Sequence, residues 1–278
     1  MGIFESIFFG LVQGFTEYLP VSSSAHLSVL FNLFGSANSG FNLKAFSVFL
    51  HFGTIIAALI VFWQDFAEII FEIMEFIGSA AVQTGKRRRN FPAVRMLLMM
   101  GISMLPLILI IPLSGKIAML FEKNAFIGIM LIGSGTVLYI SDFLLDGSKT
   151  ERNMSFSDAM ILGLCQAVSA IPGVSRTGVA YTGGISLGLS REFSAKYAVM
   201  LSVPVMLGAN LVRLFDAAEL PFSLADVPMC LLGMAAAIVG GIISIRIFCS
   251  IAKNGKFRGI GYYCWVAGVL AIILTMIF

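Results

Sequence analysis

The first segment with chemically useful side chains precedes Pro20. Gln13 and Glu17 stand four residues apart and therefore share one helical face. A carboxylate within an apolar segment costs about 3 kcal/mol on insertion scales, so Glu17 requires a partner, either a cation or a divalent metal. A hydrogen-bonded structural Glu is the alternative, and Gln13 has a structural explanation as good as its functional one.

Three serines and a histidine follow the proline. Ser22, Ser23 and Ser24 can cap a helix that begins there, whose free N–H groups and positive dipole end favour an anion. His26 lies three residues after Ser23 and four after Ser22, within reach of either hydroxyl on the same helical face, and it can act as a general base or acid near neutral pH. The alternative is a hydrogen-bonded core histidine.

The second polar segment has the composition of a phosphate-binding site. Gly173 allows close backbone approach, Ser175 can cap the next half-helix, and Arg176 offers a planar fork that suits phosphate oxygens. Thr177 adds a hydroxyl. Apolar neighbours on both sides keep Arg176 from solvent, so the structural alternative is a buried ion pair with a carboxylate such as Asp158.

Other residues with chemical potential have simpler explanations. His51 lies in an apolar stretch without polar company, and we expect it to make a helix-to-helix hydrogen bond. The four cysteines show neither metal-ligand spacing nor disulfide-like clustering and are interpreted as small hydrophobic residues. The first twenty residues lack a basic n-region and a cleavage site, so we expect no signal peptide to be removed.

The composition shows what surrounds these segments. The sequence is 58% hydrophobic and 12% charged, whereas about a quarter of a soluble domain is charged. Mean hydropathy is +0.96. Lipid is therefore the expected solvent, and a net charge of +3 is too small to indicate a nucleic-acid partner.

Six apolar stretches of about 20 residues are long enough to cross the hydrocarbon layer. They lie near residues 44–63, 95–113, 126–145, 196–214, 226–248 and 260–278. Two further stretches, near 3–34 and 158–189, are broken halfway by Pro, Gly and hydroxyl residues. Each half is too short to span.

The two broken stretches also repeat one another. The matching pairs are Gly10/Gly163, Leu11/Leu164, Gln13/Gln166, Val21/Val174 and Ser22/Ser175. We therefore expect one membrane domain, residues 1–278, built from a first repeat, 1–145, and a second, 146–278.

The distribution of Lys and Arg favours re-entrant hairpins over full spans. If both broken stretches turn back, one face collects thirteen basic residues and the other four, whereas two full spans leave about nine against eight. The larger set includes the run Lys86, Arg87, Arg88 and Arg89, and the smaller set is Lys44, Lys116, Lys123 and Arg213. The predicted fold is an all-α integral membrane protein with six transmembrane helices plus two re-entrant broken-helix hairpins in an inverted repeat, with the basic loops cytoplasmic.

In an inverted repeat the two elbows enter from opposite sides and meet near the midplane. Irregular backbone survives there only when it is buried or faces a wet cavity, and transporters build ion and anion sites in this way. The elbows are therefore the predicted site.

At these elbows the sequence resembles the undecaprenyl-diphosphate phosphatase family, also called the bacitracin resistance protein family. The segment Gln13–His26 resembles the family's glutamate-rich motif, and Pro172–Gly178 resembles its arginine motif. Order, spacing and length agree over essentially the whole chain, including residues 193–209. Thr177 and Ala180 stand where many members have Ser and Thr, and Gln13 stands where some have Glu.

The resemblance implies an enzyme of the bacterial inner membrane that removes the terminal phosphate of undecaprenyl diphosphate. This reaction returns the carrier lipid to cell-wall synthesis and confers resistance to bacitracin. The resemblance also implies a divalent metal, Mg²⁺ or Ca²⁺, and a site that opens to the outer face. The nucleophile is either Ser23, with His26 or Glu17 taking its proton, or an aligned water. The implied catalytic residues are Glu17, Ser23, His26 and Arg176, the metal ligands are Glu17 and Gln13, and the substrate-binding residues are Ser22, Ser24, Gly173, Ser175 and Thr177.

Two other functions compete with this interpretation. A polyprenyl-phosphate or anion transporter, or a flippase, would use the same inverted-repeat site. A lipid phosphatase of the vanadium-haloperoxidase-like kind needs further His and Asp partners after the arginine motif, and both histidines precede it. The expected partners are the diphosphate lipid and the surrounding membrane, and a homodimer stays open.

Overall fold

The computed structural model describes residues 1–34, 42–81, 91–120, 123–218 and 223–277. These ranges are mainly helical and contain no β-strand, so the predicted all-α class is confirmed. The α-helices are α1 Ile3–Tyr18, α2 Ser23–Phe34, α3 Leu43–Val61, α4 Trp63–Ala81, α5 Pro92–Met104, α6 Ser114–Leu120, α7 Asn124–Ser141, α8 Phe156–Val168, α9 Arg176–Ser186, α10 Arg191–Ala218, α11 Val227–Asn254 and α12 Arg258–Ile277.

Five helical segments of the described chain are long and apolar enough to cross a membrane. They are Leu43–Val61, Pro92–Ile110, Asn124–Ser141, Arg191–Phe215 and Leu224–Asn254, and they coincide with five of the six predicted spans. The sixth falls in α12, whose apolar part Arg258–Leu274 is shorter than these five. The count of six therefore stays a prediction.

The span predicted at 95–113 is not one regular helix. After α5 the backbone continues as a 3-10 helix, Leu105–Leu113, before α6 begins. Pro106 and Pro112 account for the change, because proline has no N–H and its ring clashes with the carbonyl four residues earlier. Tightening to the 3-10 pattern accommodates both residues.

Helix α4 was not predicted. Its acidic residues, which include Asp65, Glu68 and Glu72, lower its hydropathy below that of a span. Apolar side chains such as Phe71 and Met74 are exposed on this helix, so it is amphipathic. Lys196 of α10 pairs with Asp65 and ties α4 to the bundle.

Both predicted breaks are confirmed. Helix α1 ends at Tyr18, and Leu19 is extended (φ −62°, ψ 133°), as a residue before proline prefers. Helices α8 and α9 are separated by residues 169–175, around Pro172. The half-helices have 16, 12, 13 and 11 residues, and each is therefore too short to span the hydrocarbon layer.

Glycine contacts hold α1 in place against α11. A Cβ on Gly14 would lie 2.6 Å from the carbonyl oxygen of Ala237, so only hydrogen fits between the two backbones. The Ser244 hydroxyl donates to the Gly14 carbonyl at 2.8 Å. This close packing fixes the height and rotation of α1, and with them the positions of Gln13 and Glu17.

Helix α5 packs on α8, α3 on α10, and α7 on α12. The division into repeats at 145 and 146, their inverted relation and the sidedness of the loops stay predictions. The basic run Lys86, Arg87, Arg88 and Arg89, on which the sidedness largely depends, lies outside the described residues.

Candidate active site

The carboxylate of Glu17 is the centre of a buried polar cluster at the end of α1. Glu17 is only 6% exposed. Its Oε2 accepts hydrogen bonds from Gln13 Nε2 at 2.9 Å and from the Ser23 hydroxyl at 2.6 Å. Its Oε1 lies 3.3 Å from Arg176 Nη1. The two elbows therefore meet at this one side chain, as predicted.

The first elbow holds Ser23 against Glu17 by an unusual backbone turn. Ser22 has φ 65°, a left-handed conformation that non-glycine residues adopt rarely and at a cost. The turn joins α1 to α2 within four residues, Leu19 to Ser22. The Ser22 hydroxyl lies 3.2 Å from that of Ser24, so these two serines share a hydrogen bond while Ser23 faces the carboxylate.

The second elbow is held from α7. The Ser134 hydroxyl donates to the Gly173 carbonyl at 2.9 Å and accepts from the Ser175 amide at 3.0 Å. Gly173 has φ +96°, and a Cβ there would lie 2.5 Å from the carbonyl oxygen of Ile127. Glycine is therefore required both by conformation and by space. Sequence reasoning missed Ser134, because a serine in an apolar helix carries no signal of its own.

Helix α9 begins at the site, in contact with the first elbow. Ser175 is the N-cap, and its hydroxyl accepts from the Gly178 amide at 3.2 Å. Thr177 is buried, with its hydroxyl 3.4 Å from that of Ser175. A Cβ on Gly178 would lie 3.2 Å from Pro20 Cβ, so the start of α9 touches the first elbow. The first amides of α9 are thus available to an anion held near Glu17.

The structural alternative for Arg176 was a buried ion pair with a carboxylate such as Asp158, and the structure forms an ion pair with Glu17 but not with Asp158. Asp158 caps α8 by accepting from the Ser155 amide at 2.8 Å, and it pairs with Lys149 at 2.9 Å. Arg176 instead contacts Glu17, and its Nε is buried without a hydrogen-bond partner among the described residues. That donor is free to bind a phosphate oxygen.

The predicted contact between His26 and the serine hydroxyls is not formed. Its Nδ1 lies 2.9 Å from the Ser22 carbonyl oxygen, and its Nε2 lies 2.7 Å from the Tyr263 hydroxyl. The two rings stack at 5.8 Å. The imidazole thus contacts the residue before α2 and the facing helix α12. The Ser23 hydroxyl donates to Glu17 instead. Tyr263 carried no signal in the sequence.

His51 is closer to the chemistry than the sequence indicated. The expected interhelical hydrogen bond is confirmed, since Nη1 of Arg213 in α10 donates to Nε2 of His51 in α3 at 3.0 Å. The expected lack of polar company is wrong, because Nε2 is also 4.0 Å from Glu17 Oε2. Nδ1 lies 2.7 Å from the Ser47 carbonyl oxygen, which assigns the ring proton to Nδ1 and leaves Nε2 as an acceptor.

Arg213 was counted among the basic residues of the outer face, but its guanidinium turns towards this cluster. The sequence carried no clear signal for this contact, because an arginine near the end of an apolar helix normally extends its guanidinium to the interface.

The donor set at Glu17 fits a hard divalent cation that takes its other oxygens from water and substrate. Gln13 Oε1 is buried without a hydrogen-bond partner in the described structure, and it belongs to the amide whose Nε2 donates to the carboxylate. Mg²⁺ binds through one or two protein oxygens and completes its shell with water and phosphate. Within the described ranges no group of three His, Cys, Asp or Glu residues could hold a metal, so a closed all-protein site is not formed there.

Comparison with known proteins identifies the family. A family model described as "Bacitracin resistance protein BacA" matches residues 6–270. The chain belongs to the BacA family. An undecaprenyl-diphosphatase from Halothermothrix orenii is 35% identical over 286 residues, with all of both chains covered. An undecaprenyl-diphosphatase from Methanosphaera stadtmanae is 34% identical, with 100% of this chain and 99% of the relative covered.

The match to the BacA family includes both elbows and every residue of the Glu17 cluster. An undecaprenyl-diphosphatase from Methanobrevibacter smithii is 33% identical, and the alignment covers 98% of each chain. The resemblance found in the two motifs is therefore confirmed over the length of the protein.

Proposed function

We propose that this chain is a membrane phosphatase that hydrolyses undecaprenyl diphosphate to undecaprenyl phosphate and inorganic phosphate. The observation that carries the proposal is the meeting of Ser23, Glu17 and Arg176, which places a nucleophile, a proton acceptor and a phosphate-binding cation in one buried cluster. Family membership and the names of full-length relatives support the same activity. Recycling of the carrier lipid and bacitracin resistance follow from it.

The geometry favours Ser23 as the nucleophile and Glu17 as its base. The Ser23 hydroxyl already donates to Glu17 Oε2 at 2.6 Å, within the range for proton transfer. As Ser23 Oγ bonds to the terminal phosphorus, its proton passes to Glu17 and the bond to the bridging oxygen breaks. Undecaprenyl phosphate leaves as Glu17 gives that proton to the leaving phosphate oxygen. Water then attacks the phosphoserine, Glu17 accepts a proton from the water and returns it to Ser23 Oγ as the phosphoserine bond breaks, and inorganic phosphate leaves.

Arg176 and the first amides of α9 stabilise the charge that develops on the phosphoryl oxygens. Removing one such donor from a buried site typically lowers kcat by about 10²- to 10³-fold. Ser175 and Gly173 act through the backbone by holding these amides in place, and Thr177 lines the same surface. His26 keeps α2 in register with α12 instead of taking the proton of Ser23.

A divalent cation, Mg²⁺ or Ca²⁺, would be held by Glu17 and Gln13 Oε1, where it would neutralise phosphate charge. Addition of either cation to chelated enzyme is expected to restore phosphate release.

We also propose that the basic loops face the cytoplasm and that the site opens to the outer face. In the re-entrant arrangement thirteen Lys and Arg residues lie on one face against Lys44, Lys116 and Lys123 on the other, once Arg213 is assigned to the cluster, and this bias supports the orientation. Labelling of single cysteines in intact cells, placed at residue 116 and residue 256, tests it, because only the first should react from outside.

Release of inorganic phosphate from a polyprenyl diphosphate by the purified chain in detergent tests the proposed activity. Arg176→Ala is expected to lower kcat by about 10²- to 10³-fold, because it removes a transition-state donor. Arg246→Ala, at an exposed position on α11, is the matched control and is expected to leave the rate unchanged. A transporter without phosphatase activity would release no phosphate, and near-normal turnover of Arg176→Ala would contradict the assigned site.

A further inference from the structure

A second cation, Arg213, faces the Glu17 cluster through His51. Arg213 contacts His51, and no carboxylate whose side chain the structure describes lies within ion-pair distance of it. Its Nη1 is 3.2 Å from Nδ1 and 3.0 Å from Nε2 of the same ring. Because Nδ1 carries the ring proton, only Nε2 can accept from Arg213, so His51 occupies only part of the hydrogen-bonding capacity of the guanidinium.

The position of Arg213 on α10 makes this arrangement costly unless an anion binds. Its neighbours Val212 and Leu214 are 62% and 49% exposed, as expected for side chains in contact with lipid. Arg213 is less exposed and turns inward to α3. An arginine that turns inward from lipid-facing neighbours normally has an identifiable partner and a function.

A buried amide without partners lies one turn away. Asn210 is 1% exposed, and neither its Nδ2 nor its Oδ1 has a hydrogen-bond partner among the described residues. On the same face of α10, Met206 contacts Thr54 of α3 and Arg213 contacts His51. Helical spacing places Asn210 between these two contacts, on the face that meets α3. Such an unpartnered polar pair points to a ligand with hydrogen-bonding oxygens.

The described side chains around Glu17 carry more positive than negative charge, because Arg176 and Arg213 face one carboxylate. An additional anion would balance them. Arg176 has the carboxylate as its partner, whereas Arg213 is separated from that carboxylate by the neutral ring of His51. Two guanidinium groups on different sides of one carboxylate suit a ligand with two linked phosphates.

We propose that Arg213 and Asn210 form a second phosphate subsite, which binds the prenyl-linked phosphate while Arg176 binds the terminal one. This inference rests on the proposed phosphatase function. The assignment follows from the lipid-exposed residues on both sides of Arg213, since a prenyl chain attached to a phosphate there reaches lipid without crossing the pocket. Arg213 also stabilises the charge that the leaving phosphate gains when the bridging bond breaks.

Product inhibition distinguishes the two subsites. In Arg213→Met the KM for polyprenyl diphosphate and the inhibition constant of polyprenyl monophosphate should both rise about 10- to 100-fold, the effect of one lost charge-assisted contact. The inhibition constant of inorganic phosphate should change less than twofold, because this product occupies the Arg176 subsite. Arg213→Lys should recover part of the loss, and Arg246→Met is the matched control.

An unchanged inhibition constant for polyprenyl monophosphate in Arg213→Met would overturn the second subsite, and so would an equal loss of affinity for inorganic phosphate. Thermal stabilisation of the purified full chain by inorganic pyrophosphate and by orthophosphate makes the comparison without turnover. The wild type should bind pyrophosphate more tightly than orthophosphate, and Arg213→Met should bind them equally. A wild type that shows this preference but releases no phosphate would refute the proposed function and retain the subsite.

Discussion

The two elbows are built differently although they occupy matching places in the sequence. The first turns through Ser22, a residue with a side chain at φ 65°, and the second turns through Gly173 at φ +96°. The first supplies reactive side chains, Glu17 and Ser23, whereas the second supplies backbone amides and the cation of Arg176. In the proposed mechanism one break performs proton transfer and attack and the other binds the anion, so the site needs both halves of the chain.

The largest expected effect concerns the proton acceptor of the first elbow. Glu17→Gln should lower kcat for phosphate release by at least about 10³-fold, because it removes both the base and the anionic partner of Arg176. Glu5→Gln, at an exposed position on the same helix, should leave the rate unchanged.

His26→Gln provides the contrast within this elbow. Loss of its hydrogen bond to Tyr263 should raise the activation free energy by only about 1 kcal/mol, which lowers kcat about fivefold. A larger loss in His26→Gln than in Glu17→Gln would reverse the assignment of the base.

A smaller effect is expected from the glycine of the second elbow. Gly173→Ala should lower the free energy of unfolding by about 1–2 kcal/mol for the left-handed backbone. The clash with the carbonyl oxygen of Ile127 should lower the free energy of unfolding by a further amount of about 1–3 kcal/mol. Thermal unfolding in detergent measures the change, and phosphate release should fall with it because the α9 amides move.

Gly188→Ala is the control for conformation alone. Gly188 also has positive φ, at +84°, but an added Cβ would meet nothing nearer than the Lys149 side chain at 3.9 Å. Equal destabilisation by the two alanines would show that the contact with α7 does not hold the second elbow.

The smallest expected effect is a gain in stability at the first elbow. Ser22→Gly should raise the free energy of unfolding by about 1 kcal/mol, because glycine adopts the left-handed conformation without strain. Ser22→Ala keeps the strain and loses the hydroxyl contact with Ser24, so it should show no gain. If the melting temperatures of the two variants agree, the strain assigned to Ser22 is wrong.

Much of the fold follows from local sequence patterns. Long apolar stretches predict the spanning helices, and Pro20 and Pro172 with their neighbouring small residues predict the two breaks, because proline acts within a few residues of its position. Helix α4 was missed because its acidic residues lower its mean hydropathy, and its apolar face is visible only when those residues are placed on the opposite side. The 3-10 segment after α5 was missed because a stretch of high hydropathy gives no measure of helical regularity.

The sequence by itself determined the solvent of this protein, the positions of its two breaks and the residue types that carry its chemistry, because each depends on composition and short-range geometry. Only the tertiary structure decided which groups meet. Glu17 and Arg176 are 159 residues apart, and His51 and Arg213 are 162 apart. Such contacts depend on the packing of α1, α3, α9 and α10 against one another. That packing bound His26 to Tyr263 and brought His51, with Arg213 behind it, to the carboxylate.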